Sequence, residues 1–343
     1  MVDYALAFKA GNELPSQTLV FVCIADHGRQ NCPIRCKVSA DRSGYFRNPF
    51  STPPPTIMGD RLRVGVLGAG HLGRIHVQQW KEVPGAEVVG VFDPHPEKRD
   101  AVGREFNVPV FPDHLSLLSG CDAMDVVTPT ISHYQCAAEA ISAGKHVFIE
   151  KPITHTLAEA VELMELADKV GVVTQVGHVE RFNPAFIHAR PWISDPMFIE
   201  SHRLAEFQPR GTDVPVVLDL MIHDLDIVLN VVHSAVVDVS ASGVAVLSDS
   251  PDICNARIEF ENGCVANLTA SRISLKKMRK SRFFQRDAYI AVDMLAKSAE
   301  LVKMKSVVGE PDPFAMTIDL GERGLREIGF ERPVIAASNA IRD

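Results

Sequence analysis

The stretch Arg61-Leu-Arg-Val-Gly-Val-Leu67-Gly68-Ala-Gly70-His71-Leu72-Gly73 decides how this chain is read. Arg63 to Leu67 is a short apolar run of the kind that forms a buried strand, and the apolar period from Ile75 to Lys81 predicts a helix. Between them stands a Gly-x-Gly-x-x-Gly motif. Gly68 permits the tight turn out of the strand, Gly70 lets the main chain approach a pyrophosphate, and Gly73 allows the helix to pack close against the sheet. His71 and Leu72 open that helix and count with the glycines as cofactor contacts. The motif alone is a weak signal, but the next strand, Glu87 to Phe92, ends at Asp93. That puts a carboxylate about 20 residues on, where it accepts hydrogen bonds from the adenosine ribose hydroxyls. Asp93 also repels a 2′-phosphate, which favours NAD over NADP, although Lys98 and Arg99 lie close by. The competing reading is an ordinary glycine turn with Asp93 capping a helix ahead of Pro94.

Outward from this stretch the alternation continues through strands at Asp125-Val-Val-Thr128 and His146-Val-Phe-Ile149, which requires a parallel sheet with crossover helices. Beyond Glu200 the rhythm changes to longer alternating runs, Val236 to Leu247, Ile253 to Glu261 and Cys264 to Ala270, with Asn262-Gly263 as a two-residue hairpin turn. The predicted fold is α/β: a Rossmann doubly wound parallel sheet over 58–178, then an α+β substrate and oligomerisation domain over 179–343 with a large, mostly antiparallel open sheet. Residues 1–57 read as an irregular extension, with six prolines, three of the seven cysteines and no sustained period. A zinc knuckle from Cys23, His27, Cys32 and Cys36 matches no ordinary finger spacing. Met58-Gly-Asp-Arg leads directly into the first strand and reads as a natural start.

With 343 residues, the chain is long enough for two ordinary domains, and 46% hydrophobic with 23% charged residues is a globular composition. The net charge of −8 argues against general affinity for nucleic acid or an anionic membrane, and favours a small-molecule partner. Scattered, odd-numbered cysteines without a CxxC pair point to reduced thiols in the cytoplasm, with Cys121, Cys136, Cys254 and Cys264 as buried fillers. No apolar run approaches the roughly 20 residues that cross a bilayer.

After the strand ending at Ile149 comes Glu150-Lys151-Pro152, at the carboxyl end of a parallel strand, where open α/β sheets place their ligands. Further on, Asp219-Leu-Met-Ile-His223-Asp-Leu-Asp226 sets Asp219 and His223 four residues apart, on one face of a helix. Glu-Lys-Pro at this distance from a glycine fingerprint resembles the signature of the Gfo/Idh/MocA oxidoreductases, and the resemblance runs from Arg61 to the C-terminus. It implies that Lys151 is catalytic, hydrogen-bonding the reacting hydroxyl and the nicotinamide ribose and stabilising alkoxide character as hydride leaves. It implies that Asp219 and His223 form the family's DxxxH pair. His223 then takes the hydroxyl proton, since imidazole titrates near 6.5, while Asp219 contacts the substrate. Thr128, ahead of Pro129, and His133 fall where the family's loop meets the nicotinamide side of the cofactor, and Glu150 joins Lys151 among the cofactor contacts. The competing readings are a surface salt bridge for Lys151, helix capping for Thr128 and His133, and for the second motif either a metal site from His223, Asp224 and Asp226 or a capping carboxylate beside a core histidine. The reaction itself requires no metal.

Three stretches narrow the resemblance: Gln175-Val-Gly-His178-Val-Glu-Arg181-Phe-Asn183-Pro184, Leu218-Asp-Leu-Met-Ile-His-Asp224, and Asn267-Leu-Thr-Ala-Ser-Arg272-Ile-Ser. They resemble the nucleotide-sugar branch of the family, which oxidises C3 of UDP-N-acetylglucosamine with NAD so that an aminotransferase can install a 3-amino group for lipid A or related glycans. Arg181 and Asn183 are candidate contacts to the sugar hydroxyls or acetamido group, with helix capping ahead of Pro184 as the equal alternative for Asn183. Ser271 to Arg286 holds seven lysines or arginines and no acid, either a diphosphate site, with Arg272 singled out, or a charged edge guarding the sheet. An inositol or free-sugar dehydrogenase shares the same catalytic residues, and a dinucleotide-sensing regulator without catalysis is the reading outside enzymes. The resemblance also implies a homodimer or homotetramer formed through the open sheet face. Relatives usually continue past a segment like Ser338-Asn-Ala-Ile-Arg342 into a long helix, so a chain stopping at Asp343 is expected to lose stability or activity.

Overall fold

A computed structural model describes residues 34–36, 61–208, 214–307, 309–311, 313–336 and 339–341. The knuckle residues Cys23, His27 and Cys32, and the rest of 1–57 apart from 34–36, lie outside the described residues. Within the description the chain divides into two units, with the division at His178 and Val179.

Strand β1 (Ile34–Cys36) belongs to the second unit. The first unit is built from β2 (Leu62–Leu67), α1 (His71–Glu82), β3 (Ala86–Phe92), α2 (Pro96–Phe106), α3 (His114–Ser119), β4 (Ala123–Val126), α4 (His133–Ser142), β5 (His146–Ile149), α5 (Leu157–Val170) and β6 (Thr174–Val176). Its five strands are all parallel, in the order β3-β2-β4-β5-β6. The period of two in β2 sends adjacent residues to opposite faces. Val66 packs with Val77, Val88, Val91 and Val102 beneath α1 and α2, while Leu67 joins Leu117, Val126, Ala137, Ile141, Ile149 and Leu163 on the other side. Helices on both faces make the sheet doubly wound, as the alternation of elements requires. Local signals start and stop the helices: Thr156 and Glu159 close a reciprocal capping box at the start of α5, and Gly171 ends it in the left-handed conformation. Strand β4 ends at Val126, two residues before the expected end at Thr128; Val127 still donates to the Leu67 carbonyl, after which the chain leaves the sheet.

The second unit comprises α6 (Pro184–Ala189), β7 (Phe198–Leu204), α7 (Ile222–Val231), β8 (Val236–Val244), β9 (Ile253–Phe260), β10 (Val265–Ser271), β11 (Met278–Phe284), β12 (Ala288–Asp293), β13 (Ser298–Ser306), β14 (Met316–Asp319) and β15 (Leu325–Glu331). With β1 they form a ten-stranded sheet in the order β1-β8-β9-β10-β7-β11-β12-β13-β15-β14. Every pairing is antiparallel except β10 with β7. Ile199, Ile258, Leu268, Phe283, Ile290 and Leu301 are completely buried on the inner face, whereas Arg257, Glu259 and Asn267 point outward between them. The β9–β10 connection differs from the expected two-residue turn. Glu261, Asn262 and Gly263 form a three-residue loop, with Gly263 at φ 84° and the Phe260 amide closing onto the Cys264 carbonyl. Gly263 thereby takes the left-handed position that such a loop requires.

The basic run from Ser271 to Arg286 is not an edge. Its central part is β11, whose neighbours are β7 and β12, and the three charges on that strand are met by acids: Arg279 by Glu180, Lys280 by Asp293 and Arg282 by Glu200. Cys121, Cys254 and Cys264 are buried free thiols and Cys136 is half-buried. Among the described residues no helix is long and apolar enough to cross a membrane.

Candidate active site

At the carboxyl ends of the parallel strands, the glycine motif forms the turn from β2 into α1. Gly68 has φ 109°, and a Cβ there would lie 2.4 Å from the Val127 carbonyl oxygen. A Cβ on Gly73 would lie 1.9 Å from the Gly68 carbonyl oxygen, so neither position admits a side chain. A Cβ on Gly70 would meet nothing within 4 Å, which leaves open space over the turn. Gly70 is the N-cap of α1 and no side chain caps that end, so the first-turn amides behind His71 and Leu72 remain for an anion. Both of those side chains are exposed.

Asp93, at the end of β3, is buried and tied to this turn. Its Oδ2 accepts from the Ala69 amide at 2.9 Å, and its Oδ1 accepts from the His95 amide at 2.9 Å and meets the His95 Nδ1 at 3.0 Å. Burial would raise its pKa, but these hydrogen bonds and nearby Lys98 hold it below the ordinary carboxylate value. An ionised acid fixed beside an open glycine turn and an uncapped helix start fits the pyrophosphate and ribose of a dinucleotide.

Across the sheet, beyond β4, Glu150, Lys151 and Pro152 follow β5 directly. Glu150 is buried, and its Oε2 accepts the Lys151 amide at 3.0 Å while its Oε1 lies 3.2 Å from His76 Nε2. Lys151 is half-buried. His133, expected to face the cofactor, is instead 1% exposed, with Nδ1 2.8 Å from the Pro152 carbonyl oxygen and Nε2 2.9 Å from that of Thr128. Both ring nitrogens are spent on main-chain oxygens, so His133 ties the loops after β4 and β5 together, and of the pair only Thr128 stays a candidate contact.

In the second unit the Asp219/His223 motif is not one regular helix. Asp219 lies in a π-type turn (Val217–Met221) and His223 in the first turn of α7; both are half-buried. Such widened turns recur at functional sites. The acids that flank His223 are already committed. Asp224 takes the Arg203 Nε and Nη2 at 3.0 Å each, and Asp226 takes Arg181 Nε at 2.6 Å and Nη2 at 2.5 Å. Both carboxylates are thus held by guanidinium groups rather than turned toward His223 as a shared ligand set. The fork–fork pairs anchor the turn of α7 that follows His223.

Three expected substrate contacts change character here. Arg181 is held by Asp226 and stays about one-third exposed, so its guanidinium is oriented yet reachable. Asn183 is 7% exposed; it caps α6 through the Ala185 amide and donates to the Met294 carbonyl, which makes it structural. Arg272 is 4% exposed, donates to the Val214 carbonyl at 2.5 Å and lies 3.7 Å from Asp252, so its charge is balanced inside the protein. Sequence reasoning passed over His76 and Asp125. The available signal was an acid in the apolar run Ala123-Met-Asp-Val-Val127, since a carboxylate buried in a central strand requires a partner.

Comparison with known proteins places both domains in one family. The model described as "Oxidoreductase family, NAD-binding Rossmann fold" matches residues 62–178, and the GFO/IDH/MocA C-terminal domain matches 176–285. The UDP-N-acetylglucosamine 3-dehydrogenase of Acidithiobacillus ferrooxidans is 38% identical over 82% of this chain and 93% of its own. A crystal structure of that enzyme superposes with TM-score 0.72 at 35% identity, covering 82% of this chain and 85% of the other. The scyllo-inositol 2-dehydrogenase (NAD(+)) of Bacillus subtilis is 31% identical over 63% of this chain and 69% of its own. The two family-model matches together span both domains: the chain belongs to the Gfo/Idh/MocA family of NAD-binding oxidoreductases and is a dehydrogenase acting on CH–OH groups.

Proposed function

We propose that this protein oxidises the C3 hydroxyl of UDP-N-acetylglucosamine to the 3-keto sugar, with NAD as the preferred acceptor. The observation that carries the substrate is the likeness to the 3-dehydrogenase, which extends over 93% of that protein rather than over the dinucleotide domain alone. Gly68, Gly70, Gly73 and the first turn of α1 would hold the pyrophosphate, Asp93 the adenosine ribose, and Thr128, Glu150 and Lys151 the nicotinamide side. When bound, NAD supplies the hydride acceptor. Lys151, a cation at the end of β5, donates a hydrogen bond to the reacting oxygen and stabilises the negative charge that grows on it. His223 removes the hydroxyl proton, and Asp219 holds the sugar beside it. Arg181, oriented by Asp226, offers its remaining N–H groups to the substrate's polar atoms. Preference for NAD rests on Asp93, whose ionised carboxylate repels a 2′-phosphate.

An inositol substrate is the second reading, supported by the shorter likeness to the scyllo-inositol enzyme. The test is NADH formation from UDP-N-acetylglucosamine, UDP-glucose, myo-inositol and glucose at mildly alkaline pH, with hydroxylamine to trap the ketone. Turnover of the first alone supports the proposal. Turnover of inositol or glucose alone keeps the chemistry and discards the nucleotide sugar.

A further inference from the structure

Asp125 sits in the middle of β4, completely buried, between Met124 and Val126 of the apolar core. Its Oδ2 receives two donors from α1, His76 Nδ1 at 2.9 Å and Trp80 Nε1 at 2.7 Å. The other ring nitrogen of His76 lies 3.2 Å from Glu150 Oε1, and the second oxygen of Glu150 accepts the amide of Lys151 at 3.0 Å. An unbroken chain of polar contacts therefore runs from the centre of the sheet, through α1, to the main chain of Lys151. The packing around it is tight. The Phe148 ring lies edge-on to His76 at 5.8 Å, and a Cβ on Gly177 would fall 2.8 Å from Glu150 Oε1, so only glycine leaves the carboxylate where it is.

From this geometry we infer that His76 and Asp125 are positioning residues for Lys151, holding Glu150 in the orientation that fixes the Lys151 main chain. The inference rests on the catalytic reading of Lys151 given above. Fold stability alone does not call for such a network, because apolar side chains of similar volume generally do as well or better than a buried ion set. What apolar side chains cannot do is fix the direction of a hydrogen-bonded loop. Helix α1 thus serves twice: its first turn faces the cofactor's pyrophosphate, and His76 braces the reactive lysine's loop. Each ring nitrogen of His76 faces a carboxylate, which only the doubly protonated ring satisfies. Burial would lower its pKa, but Asp125 and Glu150 together outweigh burial and raise it to about 10.

The test compares wild type with His76→Gln, Asp125→Asn and Lys151→Ala, each checked for fold by circular dichroism and for NADH binding by fluorescence. Misplacing a catalytic group by about 1 Å costs on the order of 100-fold. His76→Gln and Asp125→Asn are therefore expected to lower kcat about 10- to 100-fold with sugar KM and NADH affinity little changed. Amide hydrogen exchange at Lys151 reads the same loop without turnover and is expected to quicken in both variants. Undiminished kcat in folded His76→Gln and Asp125→Asn, alongside an inactive Lys151→Ala, overturns this inference alone, as does unchanged exchange at Lys151. Undiminished kcat in Lys151→Ala overturns the catalytic reading, and this role with it.

Discussion

Changing Asp224 to asparagine leaves the Arg203 guanidinium, itself 2% exposed, without the carboxylate that takes two of its N–H groups at 3.0 Å. Breaking a buried ion pair from one side costs about 3–5 kcal/mol, because the remaining charge stays desolvated. Here Glu180 Oε2 remains 3.5 Å from Arg203 and offsets part of the loss, so the lower end, about 3 kcal/mol, is expected. For a domain of this size that lowers the melting temperature by roughly 6–12 °C. The assay is thermal and urea unfolding of wild type, Asp224→Asn, Arg203→Met and the double variant Arg203→Met/Asp224→Leu. If the pair acts as described, each single variant is destabilised and the double variant recovers most of the loss, since both charges leave together. A single variant within about 0.5 kcal/mol of wild type, the ordinary range for surface substitutions, would refute the reasoning. So would a double variant as unstable as the two losses added.

Gly73→Ala drives a Cβ to 1.9 Å from the Gly68 carbonyl oxygen, a main-chain atom that cannot swing aside, so NADH binding by fluorescence titration should be lost and the first domain destabilised. Asp93→Ser removes the ionised ribose acceptor; loss of charge-assisted hydrogen bonds worth about 1.5–3 kcal/mol should weaken NAD roughly 10- to 100-fold and narrow the preference over NADP, measured as the ratio of the two kcat/KM values. Lys151→Ala should lower kcat about 100- to 10,000-fold, a larger loss than any accompanying weakening of NADH binding, and full activity in that variant would end the catalytic assignment. The folded-state pKa of His76, about 10, lies above the unfolded 6.5, so its stabilising contribution is complete below about 6.5 and disappears as pH rises through about 10. Unfolding midpoints of wild type should fall across that window, and those of His76→Gln should fall less.

Much of the fold was legible because its signals are local. The short apolar run Arg63 to Leu67 and the glycines behind it specify a strand and a tight turn whatever the rest of the chain does. Asp93 could be singled out by its distance from the glycines, and Lys151, Asp219 and His223 by the family motifs they resemble, because such motifs are contiguous stretches of sequence. Side-chain partners were not legible in the same way. The run Ser271 to Arg286 reads as an exposed basic edge until β7 and β12 close on either side of β11, bringing Glu200 and Asp293 against it, and the turn at Val179–Phe182 adds Glu180. Asn183 looks like a sugar ligand and Arg272 like a diphosphate ligand because both are polar and sit in distinctive stretches, yet Met294 and Val214 take their hydrogen bonds from 111 and 58 residues away.

By itself, then, the amino-acid sequence determined the element order, the parallel first sheet and the antiparallel second, the dinucleotide turn and the acid that closes β3, because each depends on residues within a few positions of one another. Tertiary structure decided which charges are spent. It assigned Asp224 and Asp226 to arginines rather than to a metal, turned His133 from a cofactor contact into a tie between two loops, and joined His76 and Asp125, 49 residues apart, behind the lysine. The physical reason is burial: a charge in water tolerates many arrangements, whereas one removed from water must find its partner, and only the folded chain brings that partner near.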